Sequence, residues 1–321
     1  MTIDDIRAAA ERLRGHARVT PLLNSPFLDD IAGRRVWVKP ECLQHTGSFK
    51  FRGAWSALTA LDPAVRARGV IAYSSGNHAQ GVAHAAALLG VPSVIVMPSD
   101  APEMKRANTA ALGGEVVLYD RENESREEIG DALAADRGLT LIRPFDEPMV
   151  IAGQGTTGLE IAAQAAEHGV TEADVLVCCG GGGLTSGIAL ALEADAPSMR
   201  VRPVEPQGFD DVTRSLATGG IERNNRQSGN IADAILTPAP GRLTFPIMAR
   251  LCGPGIAVSE DEMLRSMKLA FERLKVVAEP GGAAALAAAL FHPGSVEGAD
   301  VICTISGGNV DAEMFQRALN M

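Results

Sequence analysis

The chain has 321 residues, 46% of them hydrophobic and 21% charged, which is typical of a globular protein large enough for two lobes. Its net charge of −10 argues against a nucleic-acid partner. The first residues lack the basic start and apolar stretch that are typical of a signal peptide, and no apolar run reaches membrane-spanning length. The five cysteines contain no C-x-x-C pair, which disfavours a zinc site and a disulfide framework, so we expect a cytoplasmic protein.

Short runs rich in β-branched residues alternate along the chain with helical patterns. Such runs are typical of buried strands, and their alternation with helices predicts an α/β fold with a mostly parallel sheet covered on both sides. The predicted strands are 36–38, 69–73, 93–97, 115–119, 174–178, 201–204 and 301–305.

Helix starts are marked by capping residues. Ser25 and Asp62 are each followed by proline, a pattern that favours an N-cap with proline at the first helical position. Ser259 and Glu262 form a capping box. The helix behind that box is predicted to bury one face, made of Met263, Met267, Ala270, Phe271 and Leu274.

Lys50 lies between two phenylalanines, in Thr-Gly-Ser-Phe-Lys-Phe-Arg-Gly-Ala at 46–54. Apolar neighbours lower the pKa of an amine by desolvation, and a neutral amine is a useful nucleophile. The alternative is a solvated lysine on a helix, which is the commoner place for this residue. The segment alone leaves both interpretations open.

The loop Ser-Ser-Gly-Asn-His-Ala-Gln-Gly at 74–81 follows a predicted strand and precedes an alanine-rich helix. Its hydroxyls, its amide and the N–H groups of the helix start suit a small carboxylate. An ordinary N-cap serine would explain one of the two hydroxyls but not the whole cluster.

Four consecutive glycines at 180–183 follow another predicted strand and open a helical run. Such a loop lets backbone N–H groups face a phosphate at the positive end of the helix, although a tight strand-to-helix turn is the alternative. The spacing matches neither a Walker loop nor G-x-G-x-x-G, which disfavours a dinucleotide site. A third glycine loop, Ser-Gly-Gly-Asn at 306–309, follows the last predicted strand.

A nucleophilic lysine, a phosphate cradle and hydroxyl-rich loops on one α/β sheet suggest pyridoxal 5′-phosphate (PLP), which needs a lysine, a phosphate site and a partner for its ring nitrogen. The segments 48–54, 74–78, 180–183 and 306–309 resemble the fold-type-II PLP enzymes, and most closely the serine racemases and serine/threonine dehydratases. The resemblance covers nearly the whole chain. It implies a tryptophan synthase β-like fold with two lobes, each a mostly parallel sheet flanked by helices. Residues 1–68 and 147–321 would form the large PLP-binding domain, and 69–146 the small substrate-binding domain.

The resemblance also implies roles for individual residues. Lys50 would carry PLP and act as base on one face of the cofactor, Asn77 would bond the phenolic oxygen, and Ser306 would face the ring nitrogen. A serine there cannot protonate the nitrogen as an aspartic acid could, which favours expulsion of a β-leaving group over a long-lived carbanion. The remaining cofactor contacts would be Phe49, Gly180, Gly181, Gly182, Gly183, Leu184 and Glu279.

The same resemblance assigns the substrate site. Arg126 would lie near the substrate carboxylate, although a surface pair with Glu122 at i,i+4 spacing is the alternative. The residues expected to hold that carboxylate are Ser74, Ser75, Gly76, Asn77 and His78.

Ser75 distinguishes two branches of the family. In the serine racemases the matching serine is a second acid/base, opposite the lysine, whereas biosynthetic threonine dehydratases resemble Ser-Ala-Gly-Asn-His here. Racemisation requires proton removal on one face and delivery on the other, so two such groups are needed. Lys50 and Ser75 would supply them, while a capping hydroxyl is the alternative for Ser75.

The segment 205–211 resembles the family's divalent-metal loop. Glu205, Asp211 and the backbone carbonyl of Phe209 would be the ligands, and oxygen ligands suit Mg²⁺ or Ca²⁺. A strand-end turn with solvated acids is the alternative.

We therefore expect a PLP-dependent serine racemase with serine/threonine dehydratase (ammonia-lyase) activity, acting on a small amino acid. Two alternatives remain: a 3-hydroxyaspartate dehydratase, which His45 could favour, and a cysteine-synthase-like β-replacement transferase. A homodimer is expected from the resemblance, while a nucleotide effector cannot be read from the sequence. The chain ends at Met321, so we expect no appended regulatory domain and no feedback inhibition by isoleucine.

Overall fold

The structure is a computed structural model that describes residues 1–74, 76–101, 103–120, 122–226 and 228–321, with the side chain of Met104 also left out. The α-helices of this described part are α1 (Ile3–Leu13), α2 (Pro26–Ala32), α3 (Lys50–Ala60), α4 (Pro63–Arg66), α5 (Asn77–Leu88), α6 (Glu103–Ala111), α7 (Arg126–Arg137), α8 (Pro148–Glu167), α9 (Gly183–Asp195), α10 (Asp211–Thr218), α11 (Thr244–Leu251), α12 (Glu260–Leu269), α13 (Pro280–Phe291) and α14 (Ala312–Leu319). The strands are β1 (Leu23–Asn24), β2 (Arg35–Pro40), β3 (Val70–Tyr73), β4 (Ser93–Pro98), β5 (Glu115–Tyr119), β6 (Thr140–Leu141), β7 (Ala173–Cys178), β8 (Met199–Pro206), β9 (Ile256–Val258) and β10 (Asp300–Ile305).

The larger sheet has six strands in the order β1-β2-β10-β7-β8-β9. All its pairings are parallel except the short edge pair of β1 with β2. Every residue of β7 and β10 is buried, as expected for central strands with helices on both faces. The carboxyl ends of these two strands lead into the loops at 180–183 and 306–309.

The smaller sheet has four parallel strands in the order β5-β4-β3-β6. Its strands all fall between residues 70 and 141. All seven strands predicted from the sequence are present, and the sequence missed β1, β6 and β9. Those three are only two or three residues long, too short to show a hydrophobic pattern. The domain boundaries at 68/69 and 146/147 stay a prediction.

The predicted helix starts are present. Asp62 accepts a hydrogen bond from the N–H of Ala64, and Ser259 with Glu262 forms the predicted capping box of α12. The predicted buried face of α12 is wrong at Phe271, which is 41% exposed. After Leu269 the helix widens into a π-helical turn, Ala270–Leu274, which shifts the side chains away from the 3.6-residue period.

Glycines let the three helices α3, α8 and α9 approach one another closely. A Cβ at Gly153 of α8 would lie 2.3 Å from the carbonyl oxygen of Arg52 in α3. A Cβ at Gly187 of α9 would lie 2.6 Å from the backbone nitrogen of Gly155 in α8. We call Gly153, Gly155, Gly158 and Gly187 the glycine seam. It fixes α9, and therefore the glycine loop at its start, against the body of the protein.

Within the described residues, no helix is both long enough and apolar enough to cross a membrane.

Candidate active site

A cavity of about 400 Å³ opens where the carboxyl ends of both sheets meet. That is the usual place for a ligand in α/β folds with parallel strands. Ser75 lies outside the described residues, whereas its neighbours Ser74 and Gly76 line the cavity. The other predicted cofactor and substrate residues that line it are Phe49, Lys50, Asn77, His78, Arg126, Gly180, Gly181, Gly182, Gly183, Leu184, Glu279 and Ser306.

Lys50 is the first residue of α3, and its position is tied to the loop after β10. The N–H of Phe49 donates to the carbonyl of Ser306 at 3.2 Å, and Ser48 forms a β-bridge with Gly307. The Lys50 Nζ donates to the carbonyl oxygen of Pro144 at 2.7 Å. Burial lowers the pKa of this lysine to about 8. A useful fraction of the Lys50 amine is therefore neutral near physiological pH, and only the neutral amine is a nucleophile.

The glycine loop has no room for side chains. A Cβ at Gly181 would lie 2.3 Å from the Phe145 ring, and a Cβ at Gly183 would lie 2.6 Å from Oε1 of Gln154. Gly182 has φ of +90°, a left-handed conformation that favours glycine. The loop leads into α9, a helix of 13 residues whose first N–H groups have no partner inside the helix.

Several buried polar atoms around this loop have no hydrogen-bond partner among the described residues. They are Oγ1 of Thr185, Oγ1 of Thr237 and Oε1 of Gln154, and all three residues line the cavity. Buried polar atoms are normally paired, so unpaired ones facing a cavity indicate a polar ligand. Hydroxyls and free N–H groups at a helix start suit a phosphate.

Asn77 and Glu279 form a second polar cluster in the cavity wall. Asn77 Nδ2 donates to Oε1 of Glu279 at 2.6 Å, and Asn309 Nδ2 donates to Oδ1 of Asn77 at 2.7 Å. Burial raises the pKa of Glu279 to about 7, while the hydrogen bond from Asn77 opposes the shift.

His78 is a neutral imidazole in this site. Its Nε2 is 2.8 Å from the carbonyl oxygen of Ile142, so that nitrogen carries the proton and donates it. Burial lowers the pKa of His78 to about 3, and the charge of Lys50 adds to the shift. Its Nδ1 is buried without a partner in the described structure. His78 can therefore accept a hydrogen bond, but it does not offer a positive charge to a carboxylate.

The sequence did not identify two further ionic residues of the cavity wall, Lys105 and Asp233. Lys105 of α6 and Asp233 of the large-sheet side form an ion pair at 2.8 Å across 128 residues of sequence. Arg126, which was predicted, starts α7 and pairs with its neighbour Glu127 at 2.8 Å. Among the residues that the structure describes, three basic side chains line the cavity wall: Lys50, Lys105 and Arg126.

Aromatic and small-residue contacts complete the wall. Tyr73, at the end of β3, donates to Oδ1 of Asp131 at 2.8 Å, and its ring occupies the space above Gly130. The Phe145 ring lies against Gly181 of the glycine loop. Neither residue was predicted, because no local pattern indicates that a loop or strand-end aromatic faces a cavity.

Glu205 and Asp211, the predicted metal ligands, are both fully buried at the end of β8 and the start of α10. Glu205 accepts hydrogen bonds from the backbone N–H groups of Val212 and Thr213, at 2.9 and 2.7 Å. Oδ2 of Asp211 is buried with no partner among the described residues. Burial raises the pKa of Glu205 to about 8, and the nearby charge of Asp211 raises it further. The alternative of solvated acids is therefore wrong, since neither carboxylate reaches water.

The described residues contain no group of three or more histidine, cysteine, aspartate or glutamate side chains that could hold a metal ion. A cation at Glu205 and Asp211 would therefore need backbone or water oxygens as well. The predicted Phe209 is buried in the same turn, and its N–H donates to the carbonyl of Pro206.

A lysine with a lowered pKa, a glycine loop at a helix start and a cavity between two parallel sheets define a PLP-binding enzyme of fold type II. Comparison with known proteins agrees with this class. Residues 13–308 match the family model described as pyridoxal-phosphate dependent enzyme, and the chain belongs to that family.

Relatives cover nearly the whole chain. An L-threo-3-hydroxyaspartate ammonia-lyase of Pseudomonas sp is 45% identical over 98% of this chain and 97% of its own length. A serine racemase of Schizosaccharomyces pombe is 40% identical over 99% of this chain and 97% of its own length. Among solved structures, a threonine deaminase from T.th. superposes with a TM-score of 0.91 at 45% identity, covering 97% of this chain and 99% of the other.

Proposed function

We propose that this enzyme, with PLP on Lys50, releases ammonia from L-serine and L-threonine and interconverts the enantiomers of serine. The observation that carries the proposal is the position of the Lys50 amine, which shares one cavity with the glycine loop and has a pKa lowered to about 8. Relatives named as serine racemase, threonine ammonia-lyase and hydroxyaspartate ammonia-lyase support the same reaction class.

When bound, PLP withdraws electrons from the α-carbon of an attached amino acid and makes its proton acidic. The protein's residues would orient that proton and move it. Lys50 Nζ would remove it on one face, and the N–H groups at the start of α5 would hold the substrate carboxylate. The neutral His78 would accept a hydrogen bond through Nδ1. The orphaned hydroxyl of Thr185 and the first N–H groups of α9 would hold the phosphate.

The direct test is incubation of the PLP-loaded enzyme with L-serine. We expect pyruvate, ammonia and D-serine in the same reaction, measured by a coupled pyruvate assay and chiral chromatography. L-Threonine should give 2-oxobutanoate and ammonia. Formation of cysteine from O-acetylserine and sulfide, with no pyruvate or D-serine from L-serine, would instead favour the β-replacement transferase.

The role of Ser75 is a separate part of the proposal, because this residue lies outside the described structure. Ser75→Ala should suppress D-serine formation while pyruvate formation from L-serine continues, since elimination needs only the base on the Lys50 face. Ser74→Ala is the matched control, because loss of a carboxylate contact should weaken both reactions together. Equal losses in Ser75→Ala would contradict a second-base role.

A second candidate substrate, L-threo-3-hydroxyaspartate, is favoured by the cations of the cavity wall. This substrate has a second carboxylate, and Lys105 could bind it by exchanging its partner Asp233 for the substrate. A charge-assisted hydrogen bond of this kind is worth roughly 1.5–3 kcal/mol, or about 10- to 100-fold in binding. The expected products are oxaloacetate and ammonia.

Lys105→Gln tests that assignment. It should lower kcat/KM for L-threo-3-hydroxyaspartate by about tenfold or more and change kcat/KM for L-serine by much less. Arg106→Gln is the matched control, because this neighbouring cation does not line the cavity. Equal effects on both substrates would show that Lys105 does not select a second carboxylate.

We also propose a divalent cation, Mg²⁺ or Ca²⁺, at Glu205, Asp211 and the carbonyl of Phe209. Support comes from two adjacent buried carboxylates and from the unpaired Oδ2 of Asp211, which a cation would neutralise. Removal of divalent ions with a chelator should lower the melting temperature, and added Mg²⁺ or Ca²⁺ should restore it. Asp211→Asn should abolish that response to metal.

The homodimer and the cytoplasmic location remain proposals that follow from the family resemblance and the composition. Sedimentation of the PLP-loaded enzyme at several concentrations would test the first. A nucleotide effector would be tested by measuring turnover with and without ATP.

A further inference from the structure

A chain of hydrogen bonds connects three separate loops at the wall of the cavity. Asn309 Nδ2 donates to the carbonyl oxygen of Thr46 and to Oδ1 of Asn77, each at 2.7 Å. Asn77 Nδ2 then donates to Oε1 of Glu279 at 2.6 Å. The loop before Lys50, the start of α5 and the loop after β10 therefore meet at one carboxamide.

The direction of these bonds is fixed by chemistry. An amide nitrogen has two N–H groups and no acceptor capacity, so both N–H groups of Asn309 are used by its two acceptors. Because Asn309 donates, Asn77 must present its oxygen on that side and its nitrogen toward Glu279. One N–H of Asn77 then remains, and no hydrogen bond within the described residues uses it. Asn77 lines the cavity.

We propose that Asn309 is a positioning residue that holds the Asn77 carboxamide with its second N–H pointing into the cavity, where a ring oxygen of PLP would accept it. The proposal rests on the PLP site proposed above and adds a function for a residue that does not itself need to touch the cofactor. If the Asn77 amide were reversed, its Oδ1 would face the ring oxygen of PLP, and the two oxygens would repel each other.

The surroundings keep Asn309 in place. A Cβ at Gly47 would lie 2.7 Å from Oδ1 of Asn309, and the N–H of Gly308 donates to the carbonyl of Gly47 at 2.9 Å. Thr46 has φ of +59°, a conformation that L-residues rarely adopt. Its carbonyl is the second acceptor of Asn309, so the same side chain stabilises an unfavourable backbone turn four residues before Lys50.

Glu279 fixes the other end of this series of hydrogen bonds. A Cβ at Gly307 would lie 2.0 Å from Oε1 of Glu279, so the glycine makes room for the carboxylate next to Asn77. The backbone N–H of Glu279 donates to the carbonyl of Gly307 at 3.1 Å. Because Glu279 and the carbonyl of Thr46 both accept hydrogen bonds, the carboxamides of Asn77 and Asn309 satisfy all these bonds in only one orientation.

The test replaces Asn309 by a side chain of the same shape that cannot donate. Asn309→Asp presents oxygen to Asn77 and should reverse its amide. We expect the dissociation constant of the apoenzyme for PLP to rise about tenfold or more, the loss of one hydrogen bond to a ligand. The absorption band of the bound cofactor should shift as well, because the donor to its ring oxygen is gone. Dialysis and absorption titration measure both without turnover.

A double-mutant cycle separates positioning from a general structural effect. If Asn309 acts through Asn77, Asn309→Asp should change PLP affinity in the native background and have little further effect in Asn77→Ala. Equal effects in both backgrounds, or no effect in either, would overturn the proposal. Asn309→Ala supplies the same cycle if the aspartate variant does not fold.

Asn24→Asp is the matched control. Asn24 also donates through Nδ2 to a backbone carbonyl, that of Val36, but it does not line the cavity. It should lower the melting temperature of the apoenzyme and leave PLP affinity and the absorption band unchanged. Saturable binding of PLP by the native enzyme tests the cofactor site itself, so failure of the PLP proposal and failure of the Asn309 proposal give different results.

Discussion

Two lysines with lowered pKa values, eleven positions apart, occupy opposite environments. Lys39 of β2 belongs to what we call the ion cluster, made of Lys39, Glu41, Arg52 and Glu160. Its Nζ donates to Glu160 at 2.7 Å, to Gln164 at 2.8 Å and to the carbonyl of Thr20 at 2.6 Å. Lys50 lines the cavity at the start of α3, and among the described residues its only hydrogen-bond partner is the carbonyl of Pro144. Its Nζ also lies 5.0 Å from the centre of the Phe49 ring.

The difference shows that neighbours, and not burial alone, decide what a lysine does. Burial lowers the pKa of both side chains, but at Lys39 the charge of Glu160 opposes the shift. A paired cation is held in its charged form and contributes structure. An unpaired one loses its proton at about pH 8 and becomes a nucleophile. Four predictions test this contrast, in order of expected size.

Lys50→Ala should abolish turnover, by roughly 10⁴-fold or more, because it removes the side chain that we propose both to attach the cofactor and to act as base on that face. Mass spectrometry after borohydride reduction should find no PLP joined to the chain. Lys268→Ala, which removes a half-buried lysine that does not line the cavity, is the control and should retain both properties. Substantial turnover of Lys50→Ala would refute the assigned mechanism.

Lys39→Met should destabilise the fold by roughly 3 kcal/mol, because Glu160 loses one of its two buried cationic partners. The folded fraction should still attach PLP to Lys50. Urea unfolding followed by circular dichroism measures the free energy. A change below about 1 kcal/mol would mean that the ion cluster does not depend on Lys39.

The rate of PLP attachment to the apoenzyme should rise with pH and level off above about pH 8, since only the neutral Lys50 amine reacts. Absorbance after rapid mixing measures this rate from pH 6 to 9.5. A free lysine analogue, with its ordinary pKa near 10.4, is the control and should still be accelerating at pH 9.5. If the attachment rate of the enzyme also still rose at pH 9.5, burial would not activate Lys50.

The smallest expected effect is on the free energy of unfolding of the apoenzyme. The pKa of Lys50 is lower in the folded apoenzyme than its ordinary value of 10.5, so the unfolded chain binds more protons between about pH 8 and 10.5. The cost of burying the charge is full below pH 8 and disappears above 10.5. Lys50→Met should therefore stabilise the apoenzyme by about 1–2 kcal/mol at pH 7, after allowance for solvent screening.

That gain should shrink steadily as the pH is raised to 10.5. The measurement is chemical unfolding of the two apoenzymes at pH 7, 9 and 10. A difference that does not change with pH would contradict a charged, desolvated Lys50.

Much of the site could be predicted because it depends on local sequence. The β-branched runs predict the strands, and the loops that follow those strands lie at their carboxyl ends. This argument predicts that Lys50, the glycine loop and Ser306 line one cavity, as the structure shows. The cations Lys105 and Arg126 illustrate the limit. Both lie on helices of the small-sheet side, yet only Arg126 matched a family position, and the partner of Lys105 lies 128 residues away.

The direction of hydrogen bonds could not be predicted either. Asn309 was identified only as part of a glycine turn, and its action on Asn77 depends on three loops meeting in space. The metal loop is a mixed case. The sequence located Glu205 and Asp211, but solvation was an open alternative until their complete burial was evident.

The glycine seam has a consequence for how this protein tolerates mutation. Added Cβ atoms at Gly155 or Gly158 would lie 2.9 and 2.8 Å from α9, so even alanine would force the two helices apart. Because α9 begins at Gly183, that displacement would move the glycine loop, where we propose that the cofactor phosphate binds, although neither substituted glycine lines the cavity. A mutational map of the protein should therefore show inactivating substitutions along an interior stripe of α8 that contacts no ligand.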